Sequence, residues 1–342
     1  PTTSLTTAQA GAQITSDNYD WNASLGTALS ISWAFRTNGT GGDGVDGGGA
    51  GFGQFNAQQM AATINSLQAW SDVDNLTLTR VGTGTSGAGA YSDNATMLFG
   101  DYTSGASGAA AYAYNPVTRD AGIGTANDYE GDVWINSSLQ YNASNTYVSG
   151  GVTYLGLQLG GYGAQVLTHE IGHALGLEHP GDYNASPGYV ATYDVDAQYV
   201  EDTRQYSVMS YFGETNTGAD FKGYYGMAPM MDDIAAMQRL YGANNSAFTG
   251  DSTWGFNGNT GRAWYTATTA NSISIYCIWD AGGNDTLDYS GYSQAQKIDL
   301  NAGRGHFSDV GGMVANVSIY DGVVIENAKG GAGADQLYGN DA

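Results

Sequence analysis

The residues best placed to do chemistry stand in one stretch, THEIGHALGLEHPGDY (Thr168 to Tyr183), which holds three of the chain's four histidines. On a helix His169 and His173 lie one turn apart, so both imidazoles leave the same face and can grip one metal ion. Glu170 follows His169 directly, and from there its carboxylate can reach a water at the metal without becoming a ligand. Gly176 comes three residues after His173, where a left-handed residue would end the helix and turn the chain. His179 then arrives from the other side as a third ligand. Three protein ligands leave a fourth position open, which marks catalytic rather than structural zinc. A bare H-E-x-x-H also occurs by accident as a surface pair. The longer H-E-x-x-H-x-x-G-x-x-H fixes five positions and is far more specific.

Such a helix needs a scaffold. Between Phe55 and Trp70 the apolar residues Phe55, Met60, Ile64, Leu67 and Trp70 predict an amphipathic helix. NLTLTRV alternates as a half-buried strand, and ATMLFG, AAAYAY and DVWIN (Asp132 to Asn136) read as further strands of a mixed α/β sheet. The run GTGGDGVDGGGAGFG reads as a loop by composition. Gly82-Thr-Gly84-Thr-Ser-Gly87 spells G-x-G-x-x-G after a strand, but no helical period follows it, so a surface loop is the better reading. A second helix, MDDIAAMQRLYG, begins after Pro229 with acids in its first turn and Arg239 near its end, and Gly242 closes it. The texture then changes to short strands and Gly/Asn/Asp turns, which places a domain boundary at 243/244.

The 342 residues carry 33 acidic against 10 basic side chains, a formal charge of −23. That balance repels nucleic acid and anionic membrane faces and keeps Ca²⁺ in view as the cation that collects oxygen ligands. Cys277 stands alone in SISIYCIW, so no internal disulfide exists and a buried small hydrophobe is the expectation. No apolar run is long enough to span a membrane. Near the end, GGAGADQLY (Gly330 to Tyr338) fits the nonapeptide of parallel β-rolls, and DAGGNDTLD (Asp280 to Asp288) matches it at Gly283, Asp285 and Leu287. In such a repeat, glycines open the turn, carbonyls and Asp bind calcium, and the large apolar residue fills the core. Two unrelated Gly-Asp turns are the alternative.

The extended histidine motif marks the metzincins, whose second signature, a methionine turn, is supplied by QYSVMSYF with Met209. The chain resembles the serralysins, secreted bacterial zinc endopeptidases, in THEIGHALGLEHPGDYNA, EDTRQYSVMSY, DDIAAMQRLYGAN, WDAGGNDTLDYSGY and FSDVGG, from about Phe55 to the C-terminus. The resemblance implies a metzincin-type α+β catalytic domain, a mixed twisted sheet plus long helices, over 1–243. It implies the start of an all-β calcium-binding β-roll over 244–342, truncated relative to the family. It makes Tyr211 an additional zinc ligand at rest that swings away to stabilise the oxyanion, and puts Met209 beneath the metal. It assigns calcium ligands to Phe248, Gly250 and Ser252, to Asp280, Gly282, Gly283 and Asp285, to Val324 and Glu326, and to Gly331, Gly333 and Asp335. Phe248 and Val324 would act through their carbonyls, and the set at Asp335 is a half-site whose partner coil would lie beyond Ala342. A proteinaceous inhibitor, polypeptide substrates and a monomeric state complete what the family implies.

The function expected is hydrolysis of extended polypeptides with broad specificity, with Glu170 moving protons and the strand near DVWIN pairing with the substrate backbone. Two rivals stand beside it: a zinc hydrolase of small amides or esters, and a calcium-loaded adhesion or scaffold module with a vestigial zinc site. The intact Glu170 argues against the latter.

Overall fold

The computed structural model describes every residue except 2, 23, 40–48, 106–108, 120–128, 138–145, 150–151 and 187. Its elements begin with α1 (Thr7–Ile14), β1 (Leu29–Phe35), β2 (Gly49–Gly53), α2 (Ala57–Val73), β3 (Leu76–Arg80) and β4 (Met97–Gly105). They continue with β5 (Ala111–Ala113), β6 (Val133–Asn136), the hairpin β7 (Thr146–Ser149) and β8 (Val152–Leu155), α3 (Tyr162–Ala174), the single turn α4 (Tyr193–Asp196) and α5 (Met231–Tyr241). The main sheet runs β3-β1-β4-β6-β5, with β2 against the outer half of β4. Strands β3, β1, β4 and β6 are parallel, and β5 is the antiparallel edge. Trp33, Phe35, Phe99 and Ile135 of this sheet pack with Met60, Leu67 and Trp70 of α2 and Leu167 and Ile171 of α3.

Helix α2 begins at Ala57 because Asn56 caps it, accepting from the amides of Gln58 and Gln59 while Gln59 reaches back. Helix α1 is capped in the same way by Thr6 and Gln9. It lies so close to α5 that a Cβ at Gly11 would meet Ala235 at 2.8 Å. Sequence reading passed over both α1 and β1. It also read Gly49–Gly53 as loop, whereas that segment is strand β2: Phe52 is its one large side chain, so no alternation shows, and its pairing with β4 supplies the order. The remainder of that run, 40–48, lies outside the described residues. After β3 the segment from Gly82 to Gly87 leads only into a three-residue 3-10 turn, Ala88–Ala90, so no helix follows those glycines.

Beyond α5 come β9 (Thr253–Gly255), β10 (Tyr276–Ile278), β11 (Thr286–Asp288), β12 (Lys297–Asp299), β13 (Phe307–Ser308), β14 (Val317–Ile319), β15 (Asn327–Lys329) and β16 (Gln336–Tyr338). The parallel sets β9-β11-β15, β10-β14 and β12-β16 make a coil, with β13 added antiparallel to β14. Trp254, Leu287, Ile278, Val317 and Ile319 fill the space between its sheets. The two parts share cores: Val73, Met231 and Ile234 close around Cys277, which is fully buried. Arg262 of the roll grips Asp72 of α2 through two hydrogen bonds of 2.7 Å. The junction is pinned as well. Asn75 N donates to Gly242 O at 2.9 Å, Asn244 Nδ2 to Ser71 O at 2.8 Å, and Trp279 Nε1 to Asn244 O at 2.9 Å.

Candidate metal and catalytic site

Helix α3 presents His169 and His173 from one face, and the chain turns at Gly176, whose φ of +106° is in the left-handed half of backbone space. A Cβ there would also press on Tyr19 O at 2.8 Å, so glycine is required twice over. The return brings His179 back, and the three Nε2 atoms stand 3.1 to 3.2 Å apart. Zn–N bonds of about 2.05 Å in a tetrahedral site place ligand nitrogens about 3.3 Å apart, so the triangle fits a zinc ion. Among the described residues this is the one group of three or more His, Cys, Asp or Glu whose ligand atoms converge within 4.8 Å.

The far nitrogens fix the tautomers. His169 Nδ1 lies 2.9 Å from Val208 O, His173 Nδ1 2.7 Å from Leu177 O and His179 Nδ1 2.7 Å from Tyr183 O. A carbonyl only accepts, so each Nδ1 carries the proton and each Nε2 lone pair points inward. Burial pulls His169 down to about 3 and His173 to about 4, and lowers His179 well below its usual range, with neighbouring imidazoles adding to the effect at His169 and His179. Neutral imidazoles are the ligand form.

Behind the rings, Met209 is fully buried, and a Cβ on Gly172 would come within 2.5 Å of its sulfur. The methionine therefore underlies the site, against a helix position with no side chain. The turn that carries it is held by Asp233 of α5, which accepts from Ser207 Oγ at 2.6 Å and from the amides of Val208 and Met230 at 2.8 Å. Gln165 Nε2 donates to the same Val208 carbonyl that orients His169, at 2.9 Å. Asp202 accepts from Tyr183 Oη at 2.8 Å and Ser210 Oγ at 2.7 Å, steadying the turn whose carbonyl orients His179. Sequence reading credited Asp233 only with favouring the helix dipole, and gave Gln165, Gly172 and Asp202 no role. Their partners lie well apart along the chain.

Glu170 lines the cleft beside the histidines, and burial pushes its carboxyl up to about 8. The Tyr211 ring lies 4.4 Å from that of His179, centroid to centroid, and its hydroxyl is pushed up to about 12 by burial and then by Glu170. The strand expected to meet a substrate needs correction. DVWIN is β6, enclosed between β4 and β5, so its backbone is already paired on both sides. The edge strand is β5, and Ala109, Ala110 and Ala111 line the cleft.

In the roll, the structure brings together Asp280, Asp285 and Glu326 with Gly250 and Ser252. Asp285 accepts from Ser252 N at 2.7 Å, its own amide donates to Glu326 at 2.7 Å, and Gly282 N donates to Asp280 at 2.7 Å. Gly283 packs on the facing turn so closely that a Cβ would lie 2.5 Å from Gly250 O. Asp280 and Asp285 each keep one buried oxygen without a protein partner, as carboxylates shaped for a cation do. Burial raises both; Asp285 and Glu326 add to the rise at Asp280, which reaches about 7, and Glu326 and Asp251 add to it at Asp285. Phe248 has φ +52°, a turn conformation, and the Val324 side chain is half exposed. Gly331 and Gly333 stack on the carbonyls of Tyr292 and Gln294, and Asp335 accepts from Gln296 N at 3.0 Å. The facing turn, 292–296, contains no acid, so Asp335 stands apart from the triad of carboxylates at Asp280.

Comparison with known proteins adds to this. The matrixin family model matches residues 54–201 and the peptidase M10 serralysin C-terminal model matches residues 243–342. The chain is 47% identical over 332 residues to Serralysin C of Dickeya chrysanthemi, covering 96% of this chain and 63% of the relative. It is 46% identical over 344 residues to Metallopeptidase AprA of Pseudomonas marginalis, covering 99% of this chain and 66% of the relative. Against Serralysin of Photorhabdus laumondii the identity is 46% over 291 residues, 85% of this chain and 55% of the relative. The chain thus spans less than two thirds of the length of these relatives.

Proposed function

Since the chain belongs to the serralysin family of the metzincins, we propose that it is a secreted zinc-dependent endopeptidase of broad specificity. The carrying observation is the triangle of lone pairs on His169, His173 and His179 with Glu170 at its side. When bound, zinc supplies Lewis acidity, polarising a scissile carbonyl and acidifying water. Glu170 takes the proton from the attacking water and returns it to the leaving amine. Tyr211 would be a further ligand at rest, and once released its hydroxyl would donate to the oxygen on which charge develops. Extended substrate would lie along the edge β5, where backbone pairing gives affinity with little side-chain selectivity.

The remaining assignments belong to the same reading: Met209 as the floor of the site, a division at 243/244, and structural calcium in the roll. Its ligands are Phe248, Gly250 and Ser252 with Asp280, Gly282, Gly283 and Asp285, joined by Val324 and Glu326, then Gly331, Gly333 and Asp335. Metal analysis joined to a casein digest tests the core claim. The expected result is one zinc per chain, internal cleavage that stops with a chelator, and recovery on adding zinc back. Hydrolysis confined to small amides would favour the small-substrate hydrolase, and zinc-loaded protein that cuts nothing would favour a vestigial site.

A further inference from the structure

The chain has ten cationic side chains against 33 carboxylates. Arg36 pairs with Asp132, Arg119 with Asp20, Arg262 with Asp72 and Arg304 with Asp232. Arg80 donates to the carbonyls of Gly84 and Ala90, and Arg239 to Thr15. Arg204 differs. A buried Nε without a partner is shared by Arg80 and Arg304, but each of those pairs through another nitrogen of its fork, whereas among the described residues the Arg204 guanidinium has no carboxylate or hydrogen-bond acceptor. Its Cζ lies 5.4 Å from the centroid of the Tyr225 ring, a contact that steadies the plane of the fork. Its backbone is fixed too, with Arg204 N donating to Phe212 O at 2.9 Å.

The place of this side chain gives the vacancy of its fork a meaning. Arg204 lines the same cleft as Gln165, His169, Glu170 and Tyr211. An arginine held by its backbone and by a ring, lining a cleft with its whole fork unpaired by protein, is a group suited to a partner from outside. Guanidinium geometry matches the two oxygens of a carboxylate. The formal charge of −23 repels acidic peptides at a distance. Salt screens that repulsion beyond about 8–10 Å, so the local cation governs once a peptide is in the cleft.

We propose that Arg204 is a specificity-determining residue that receives the carboxylate of an Asp or Glu side chain in the polypeptide substrate, close to the scissile bond. This rests on the endopeptidase reading and narrows its broad specificity at one subsite.

The test uses internally quenched peptides, acetylated and amidated so that a chain-terminal carboxylate cannot substitute for a side chain. Pairs differ only by Glu or Gln at one of the three positions on either side of the cleaved bond. At one position the wild-type protein should favour Glu by about tenfold in kcat/KM. The preference should shrink as NaCl rises from about 0.05 M to about 0.5 M. Arg204→Gln should abolish it and Arg204→Lys retain part of it. Equal rates for Glu and Gln at every position in the wild-type protein would overturn the proposal without recourse to any variant. So would a preference that persists in Arg204→Gln. Failure of the endopeptidase reading is distinguishable, because then no peptide of either series is cut in a chelator-sensitive way.

Discussion

At the histidine cluster the converging groups are neutral, and each is aimed by a backbone carbonyl at its far nitrogen. In the turns around Asp280, Asp285 and Glu326 the neighbouring groups are acids, more widely spread than the imidazoles, and the backbone amides of Gly282, Ser252 and Asp285 hold them. The two regions gather ligand atoms by opposite means. Three imidazoles can wait for a cation with little mutual repulsion, since their hydrogen bonds are complete behind them. Neighbouring carboxylates repel one another until a cation arrives or one takes a proton, and this adds to the burial that raises Asp280 to about 7. The first arrangement stores its shape in the fold. With the calcium proposed above, the second would make the fold lean on the ion.

The sharpest way to break this contrast is to separate chemistry from ligation at the neutral site. Glu170→Gln should lower turnover of a casein-derived peptide by about a hundredfold or more, with zinc content unchanged in the purified protein. Loss of zinc together with activity would make Glu170 a ligand and merge the two kinds of site. Tyr211→Phe should reduce kcat by about a hundredfold, with a smaller change in KM, because the hydroxyl acts on developing charge. Steady-state kinetics with kcat equal to that of the parent would reduce Tyr211 to a neighbour of His179.

At the anionic site the effect should appear in stability. Calcium at about a hundredfold excess over its Kd should stabilise the fold by about 2.7 kcal/mol, read as a rise in Tm. Without the ion, Asp280 is protonated in the folded chain up to about pH 7 but ionises near 3.8 when unfolded. The folded state then binds more protons in that window, so stability of the calcium-free protein should fall as pH rises from about 4 to 7. Calcium needs the ionised carboxylates, so the gap in Tm between loaded and chelated samples should widen over the same range. A gap independent of pH would contradict the arrangement proposed for these acids.

Asp233→Asn makes the gentlest change, since an amide keeps the shape but points an N–H₂ at groups that now find an acceptor. Its effect should be about a tenfold loss of zinc affinity, measured by competition with a chromogenic chelator, because the turn that aims His169 loosens. Unaltered affinity would mean that the carbonyl of Val208 needs no support from α5.

What could be read along the chain was what is local. The closeness of His169, His173 and His179 follows from one helical turn and one glycine, and the coils of the roll follow from the recurrence of Gly283, Asp285 and Leu287. Helix α2 announces itself by period, and its true start by Asn56 and Gln59. Strand order is not local. DVWIN reads as strand but nothing in it reveals that β5 will cover its free side. Strand β1, LSISWAF, interleaves serines with apolar residues, and its pairing with β3 and β4 joins residues about 45 to 65 positions apart. Asp233, Asp202 and Arg204 look like ordinary surface charges until the turns they hold, or the cleft they face, have been folded around them.

The pinned junction has a consequence for persistence. Under the function and division proposed above, the protein would be surrounded by cutting copies of itself, and the chain at the 243/244 junction is where a neighbour would cut first, given slack to draw into its cleft. Here Gly242, Asn244 and Trp279 tie that segment to both sides. Extracting it means releasing these bonds together with the Arg262–Asp72 clamp and the shared packing around Cys277. The seam thereby offers no loose thread to a sister molecule.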